Sequence, residues 1–264
     1  MALPSEKRFI EKLLLAIAGN KELWKAYLER FLRSGSSGEI SNKASEIADF
    51  LTSAYGGYAL RRKLIESVPI NPNDCVLDIG PDTGVESFLL AEVYNRVLVA
   101  EPDATIPGLL REIAKYYRTE DGRKASEVLD IQRAGIIPPG LTLPERDPNW
   151  KPEPPVEYDI RGAPDVSNIF GLHFADRVFC YNIGTFIPAE PQLLILLKAL
   201  SSYCGQRGVI TWCDQWVELD DRGERPLSEL KARIVELLPD FTVRFRMFDK
   251  GWALLTIAKR NNYL

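Results

Sequence analysis

The sequence predicts an α/β protein with helices on both faces of a mostly parallel sheet. Three observations carry this. Residues 75–101 run as apolar stretch, glycine turn, helix-spaced stretch and second apolar stretch. Two more short apolar runs, 175–182 and 208–214, are separated by a helix-spaced segment. The chain then closes with FTVRFRMF and GWALLTIAK around Asp249-Lys250-Gly251, a hairpin signal.

The organising unit is CVLDIGPDTGVESFLLAEVYNRVLVAEPD, residues 75–103. Cys75 to Ile79 is a Pro-free apolar run, as expected of a strand buried on both faces. Gly80 and Gly84 bracket a tight turn where backbone must bend and come close to something. Val85 to Tyr94 has helical spacing, and Arg96 to Ala100 is a second strand ending at Glu101. Such a turn leaves the first N–H groups of the helix facing a ligand. An acid at the next strand tip can accept from the two hydroxyls of a ribose. The unit is shaped for a nucleoside-containing cofactor. The turn has no third glycine, and Asp82 stands where a pyrophosphate would need neutral backbone. That disfavours NAD and suits a ligand with cationic centres.

The other elements follow in order. Helical spacing over 4–19, 21–32, 41–53 and 58–68 predicts an all-helical N-terminal cap, 1–68, ahead of a cofactor-binding domain, 69–264. Pro102-Asp103 opens a helix over 105–118. The 119–157 stretch breaks the alternation; a helix is expected over 124–133, and its many prolines make the remainder an irregular insertion or lid holding Trp150. Val156 to Arg161 alternates like a strand. Helices are expected over 192–203 and 226–238.

Net charge is −4, with no broad basic surface, so nucleic acid is disfavoured as a partner. No apolar run has membrane-spanning length and the first ten residues do not read as a secretion signal; the cytoplasm is the expected compartment. Cys75, Cys180, Cys204 and Cys213 form no C-x-x-C pair and read as free core thiols. A single histidine excludes a multi-histidine metal site, and no metal is expected.

The turn after Asp78, with Gly80 and Gly84, resembles motif I of the class I S-adenosylmethionine (SAM)-dependent methyltransferases. Asp82 departs from that pattern, replacing the middle glycine. The terminal hairpin resembles the ending of the same family's sheet. The resemblance spans about residues 70–260 and implies seven strands in the order 3-2-1-4-5-7-6, the last strand antiparallel. It implies SAM as cofactor, held by Asp78, Gly80, Asp82, Gly84, Glu101 and Pro102. Asp165 would hold the adenine amino group, with helix N-capping as the alternative. Tyr58, with Tyr55 and Arg61, lies where the family places contacts upstream of motif I; core packing is the alternative. Tyr181 and Asn182, at the end of the fourth strand, would border the reacting centre, with Asn182 also a cofactor-binding residue, and His173 is a candidate general base. The implied activity is methyl transfer to a small-molecule acceptor. Two alternatives stay open: transfer or cyclisation of the aminocarboxypropyl arm, releasing methylthioadenosine, and a non-catalytic SAM-binding or partner-regulating protein. A homodimer is compatible with each.

Overall fold

A computed structural model describes residues 2–31, 40–53, 57–138, 162–183, 190–214, 227–248 and 252–260. Four helices lead: α1 (Glu6–Ala18), α2 (Lys21–Phe31), α3 (Ile40–Ser53) and α4 (Gly57–Glu66). The alternating part follows: β1 (Val76–Ile79), α5 (Val85–Val93), β2 (Val97–Glu101), α6 (Ile106–Tyr116), β3 (Leu129–Arg133), α7 (Val166–Phe170), β4 (Ala175–Tyr181), α8 (Glu190–Tyr203) and β5 (Cys204–Asp214). The chain closes with α9 (Leu227–Leu237), β6 (Phe241–Met247) and β7 (Ala253–Lys259).

The strands form one sheet in the order β3-β2-β1-β4-β5-β7-β6. β1 to β5 pair in parallel, and β7 runs antiparallel to both β5 and β6. This is the order expected above. The chain winds outward from β1 to β3, then returns to place β4 beside β1. The carboxyl ends of β1 and β4 therefore flank a crevice, where open α/β sheets bind ligands.

β1 and β2 are buried along their whole length, which explains their near-continuous apolar sequence. Alternation sends Leu77, Leu98 and Cys180 into one apolar cluster with Leu197, Trp212 and Ile234. Val76, Val97, Val99, Phe179 and Tyr181 join the other, with α5 and α6. Asp78 and Glu101 follow the same alternation, so their side chains leave the sheet on the α5 side.

The leading helices belong to that second cluster. Phe9, Ile17, Tyr27, Ile47 and Leu64 share it with Phe88, Leu110 and Tyr117. Lys12 on α1 donates to Glu92 on α5 at 2.5 Å, and the Tyr117 hydroxyl meets the same oxygen at 2.5 Å.

Two expectations are corrected. The 124–133 stretch is not a helix: it makes a 3-10 turn, Ala125–Glu127, and then β3. Leu129 and Ile131 are buried while Asp130 is exposed, a period of two that suits an edge strand. The third strand of the sheet thus lies inside the supposed insertion. The predicted strand 156–161, with Trp150 and most of the proline-rich stretch, lies outside the described residues, as does Tyr55.

Candidate active site

The turn after β1 is built from left-handed backbone. Gly80, Asp82 and Gly84 have φ of 66°, 48° and 83°. Asp82 adopts the conformation a glycine would take, which aspartate tolerates better than most residues. The Gly84 amide donates to the Pro81 carbonyl at 2.9 Å and closes the turn. A Cβ on Gly84 would lie 2.5 Å from Leu110 Cδ2, so this glycine lets α6 pack against the turn. A Cβ on Gly80 would meet Ile183 at 3.1 Å, which places the tip of β4 beside the bend.

Glu101 ends β2 and is 3% exposed. Its Oε2 accepts the Asp82 amide at 3.2 Å and its Oε1 the Asp103 amide at 3.0 Å. Each oxygen keeps a lone pair. Burial first, then the Asp82 and Asp103 carboxylates, push Glu101 up to about 7. Asp103 behaves oppositely. Burial raises it, but bonds from Thr105 and Ile106 and the charge of Arg30 outweigh this and hold it below the usual range. Asp103 Oδ1 thereby accepts the Thr105 and Ile106 amides, at 2.8 and 3.1 Å, at the entry to α6.

Beneath the turn, Asp78 Oδ2 accepts the Ser87 hydroxyl at 2.5 Å. Burial, then the nearby Glu86 and Glu101, raise Asp78 well above the carboxylate range. Arg61 on α4 pairs with Glu86 at 2.6 Å, both nearly fully buried. Its guanidinium also lies 4.4 Å from the Tyr181 ring centroid. Trp252 stacks with Tyr181 at 5.4 Å and 21°. The phenol is pushed up by burial, at the carboxyl end of β4.

Asn182 has φ 51° and is half-buried; its amide N–H donates to the Cys213 carbonyl at 2.9 Å. Asn182 and Asp82, both non-glycine residues at positive φ, sit at the carboxyl tips of adjacent strands. Pro102 continues from Glu101, and its carbonyl accepts Arg133 Nε at 3.4 Å.

Three predicted site residues stand elsewhere. His173 precedes β4, at the amino end of the sheet, and its Nδ1 lies 3.3 Å from the Cys204 carbonyl. β4 spans seven residues, so about 20 Å of strand separates His173 from the crevice. It is no general base there. Tyr58 packs on Phe9 and hydrogen-bonds the Pro4 carbonyl, within the leading helices. Asp165 is the N-cap of α7; its oxygens accept from Ser167 N, Ser167 Oγ, Ile137 N and Tyr203 OH. Those four donors use the acceptor capacity an adenine amino group would need.

Sequence reasoning missed the partners that α2 supplies. The Tyr27 hydroxyl donates to the Thr83 carbonyl at 3.2 Å, and Arg30 pairs with Asp103 at 2.9 Å. Their only sequence signal was spacing: positions 27 and 30 share one helix face.

Strand order, the antiparallel β7 and the glycine turn between β1 and α5 are now in hand. This is the class I methyltransferase fold. No family model matches the chain, and no curated protein matches its sequence. Solved structures do resemble it. A methyltransferase from Geobacter sulfurreducens is 15% identical, with TM-score 0.49, covering 91% of this chain and 96% of that one. N-methyltransferase NodS from Bradyrhizobium japonicum WM9, solved with S-adenosyl-L-homocysteine (SAH), is 9% identical, with TM-score 0.46, covering 90% and 98%. A precorrin-6y C5,15-methyltransferase from Geobacter metallireducens GS-15 is 14% identical, with TM-score 0.46, covering 79% and 93%. At such identities the likeness is one of chain path, not of chemistry.

The residues themselves fit a ligand that carries positive charge. Asp78, Asp82, Glu86, Glu101 and Asp103 crowd the turn, and Arg30 and Arg61 are the guanidiniums paired among them. Thr83 Oγ1 and Glu86 Oε2 are buried without a hydrogen-bond partner among the described residues. An unpartnered buried hydroxyl and carboxylate oxygen, with more carboxyl groups than guanidiniums around them, favour a ligand that brings hydrogen-bond donors and positive charge. A separate surface depression of about 410 Å³ lies between α2 and α6; Leu23, Ala26, Arg30 and Leu109 line it, and Asp78, Gly80, Glu101 and Tyr181 do not.

Proposed function

We propose that the protein is a SAM-dependent methyltransferase acting on a small-molecule acceptor. The carrying observation is the Glu101 carboxylate, fixed by the Asp82 and Asp103 amides at the tip of β2 and beside the glycine turn. Its remaining lone pairs would take the two ribose hydroxyls. Gly80 and Asp78 would border the methionine end, with Asp82 and Glu86 supplying negative charge for its ammonium and sulfonium. Asn182, at the tip of β4, would align the acceptor beside the Tyr181–Trp252 stack.

SAM supplies an electrophilic methyl group when bound. The chain's own residues then need to orient the acceptor in line with it and exclude water. The buried Tyr181–Trp252 stack would supply an apolar surface for this. No acid–base dyad is required of an acceptor that is already nucleophilic.

The test is calorimetry with SAM and SAH, followed by product analysis over a panel of small acceptors. Micromolar binding and acceptor-dependent SAH release support the reading. Methylthioadenosine as product would assign the aminocarboxypropyl chemistry instead. Absence of SAM and SAH binding would overturn the cofactor assignment.

A further inference from the structure

Helix α2 touches both loops that flank the crevice. The Tyr27 hydroxyl holds the turn after β1 through the Thr83 carbonyl, at 3.2 Å. One helical turn on, Arg30 Nη2 meets Asp103 Oδ2 at 2.9 Å, after β2, with the two side chains 9% and 1% exposed. The Asp103 amide is in turn the donor to Glu101 Oε1, at 3.0 Å. The ion pair, together with the Thr105 and Ile106 amides on Oδ1, therefore holds the residue whose amide fixes one carboxylate oxygen. The second oxygen is held by Asp82 N, one residue before the carbonyl that Tyr27 holds. Both N–H groups that aim Glu101 thus belong to loops gripped by one face of α2.

The Lys12–Glu92 pair already ties the N-terminal helices to α5, away from these two loops. Tyr27 and Arg30 instead contact the two loops that converge on one carboxylate. We propose that Arg30, acting through Asp103, is a positioning residue that aims Glu101 at the ribose hydroxyls of the nucleoside cofactor. The inference rests on the nucleoside reading given above. It predicts that Arg30 contributes to discrimination by the ribose hydroxyls, not merely to overall affinity. A bolt would loosen ribose and deoxyribose ligands alike; a positioning residue acts on the hydroxyls alone.

The experiment compares SAH with its 2′-deoxy and 3′-deoxy analogues by calorimetry, on the full chain. Wild type is expected to favour SAH over either analogue by about tenfold or more, the value of a lost hydrogen bond to a charged acceptor. Arg30→Gln is expected to reduce that ratio to about threefold or less. Arg30→Lys keeps the charge without the guanidinium fork and falls between the two; it decides the matter if Arg30→Gln does not fold. Lys25→Met removes an exposed pair with Glu29 on the same helix and leaves the ratio unchanged. A full wild-type ratio in a folded Arg30 variant overturns the positioning role while leaving the cofactor reading intact. Failure of the wild type to bind SAH overturns both.

Discussion

The Asp82 amide and the Glu101 carboxylate meet at 3.2 Å across 19 positions of sequence. The contact joins the bend after β1 to the tip of β2. It fixes the acid without using up its acceptor capacity. It also puts one negative side chain close to another in a buried place, and that conflict makes the pair testable.

Replacing Glu101 with Gln keeps its volume and removes its charge. Two ribose hydroxyls would lose a charged acceptor, about 1.5–3 kcal/mol. SAH affinity should fall about 10- to 100-fold by calorimetry, and Glu101→Ala should fall at least as far. Unchanged affinity in both variants would remove Glu101 from the site.

The pH dependence has a definite sign. Glu101 is ordinarily half-ionised at 4.5 and is pushed up to about 7 here. Between those values the folded chain binds more protons at this group than the unfolded chain. Its contribution to stability is therefore greatest below 4.5 and declines as pH rises through 7, by about 3 kcal/mol at most. Ribose binding needs the ionised form, so SAH affinity should rise over the same window. Asp82→Gly removes a nearby negative charge and suits the positive φ, so the affinity midpoint should move below 7. Titrations of SAH affinity and melting temperature against pH check both directions.

Arg61→Met leaves Glu86 buried without its partner. Breaking such a pair costs about 3–5 kcal/mol. Denaturant unfolding should show a loss of that size, and the further change Glu86→Gln should recover part of it. Equal stability of wild type and Arg61→Met would mean that Glu86 finds another partner.

His173→Ala should leave SAH affinity and turnover unchanged, because the residue sits at the amino end of β4. His173→Gly should be slightly stabilising, since φ is 57° there. A large loss of turnover in His173→Ala would place the histidine back in the chemistry.

The central fold was legible because its strands are buried on both faces. Continuous runs such as Val97 to Ala100 leave no doubt about the sheet. β3 was hidden because it is an edge strand with one buried face, and its Leu-Asp-Ile-Gln-Arg follows helix formers from Lys124 to Glu127. The place of Glu101 at the tip of β2 was legible from its distance to the glycine turn, a spacing set by one helix and one strand. His173 misled because closeness in sequence to β4 is closeness to the wrong end of it. Arg30–Asp103 and Arg61–Glu86 are 73 and 25 positions apart, and no local pattern records who meets whom across helices. Asp165 had two readings, and α7 took the capping one.

Phe9, Ile17 and Tyr27 occupy the same apolar cluster as Phe88 and Leu110. The first four helices are consequently a poor unit for chimeras. Grafting them onto a related scaffold, or exchanging them to alter acceptor choice, would transplant half of an interlocking surface. A workable exchange would carry the facing surfaces of α5 and α6 along with it, so engineering should begin at the proposed site, near Asn182 and Trp252.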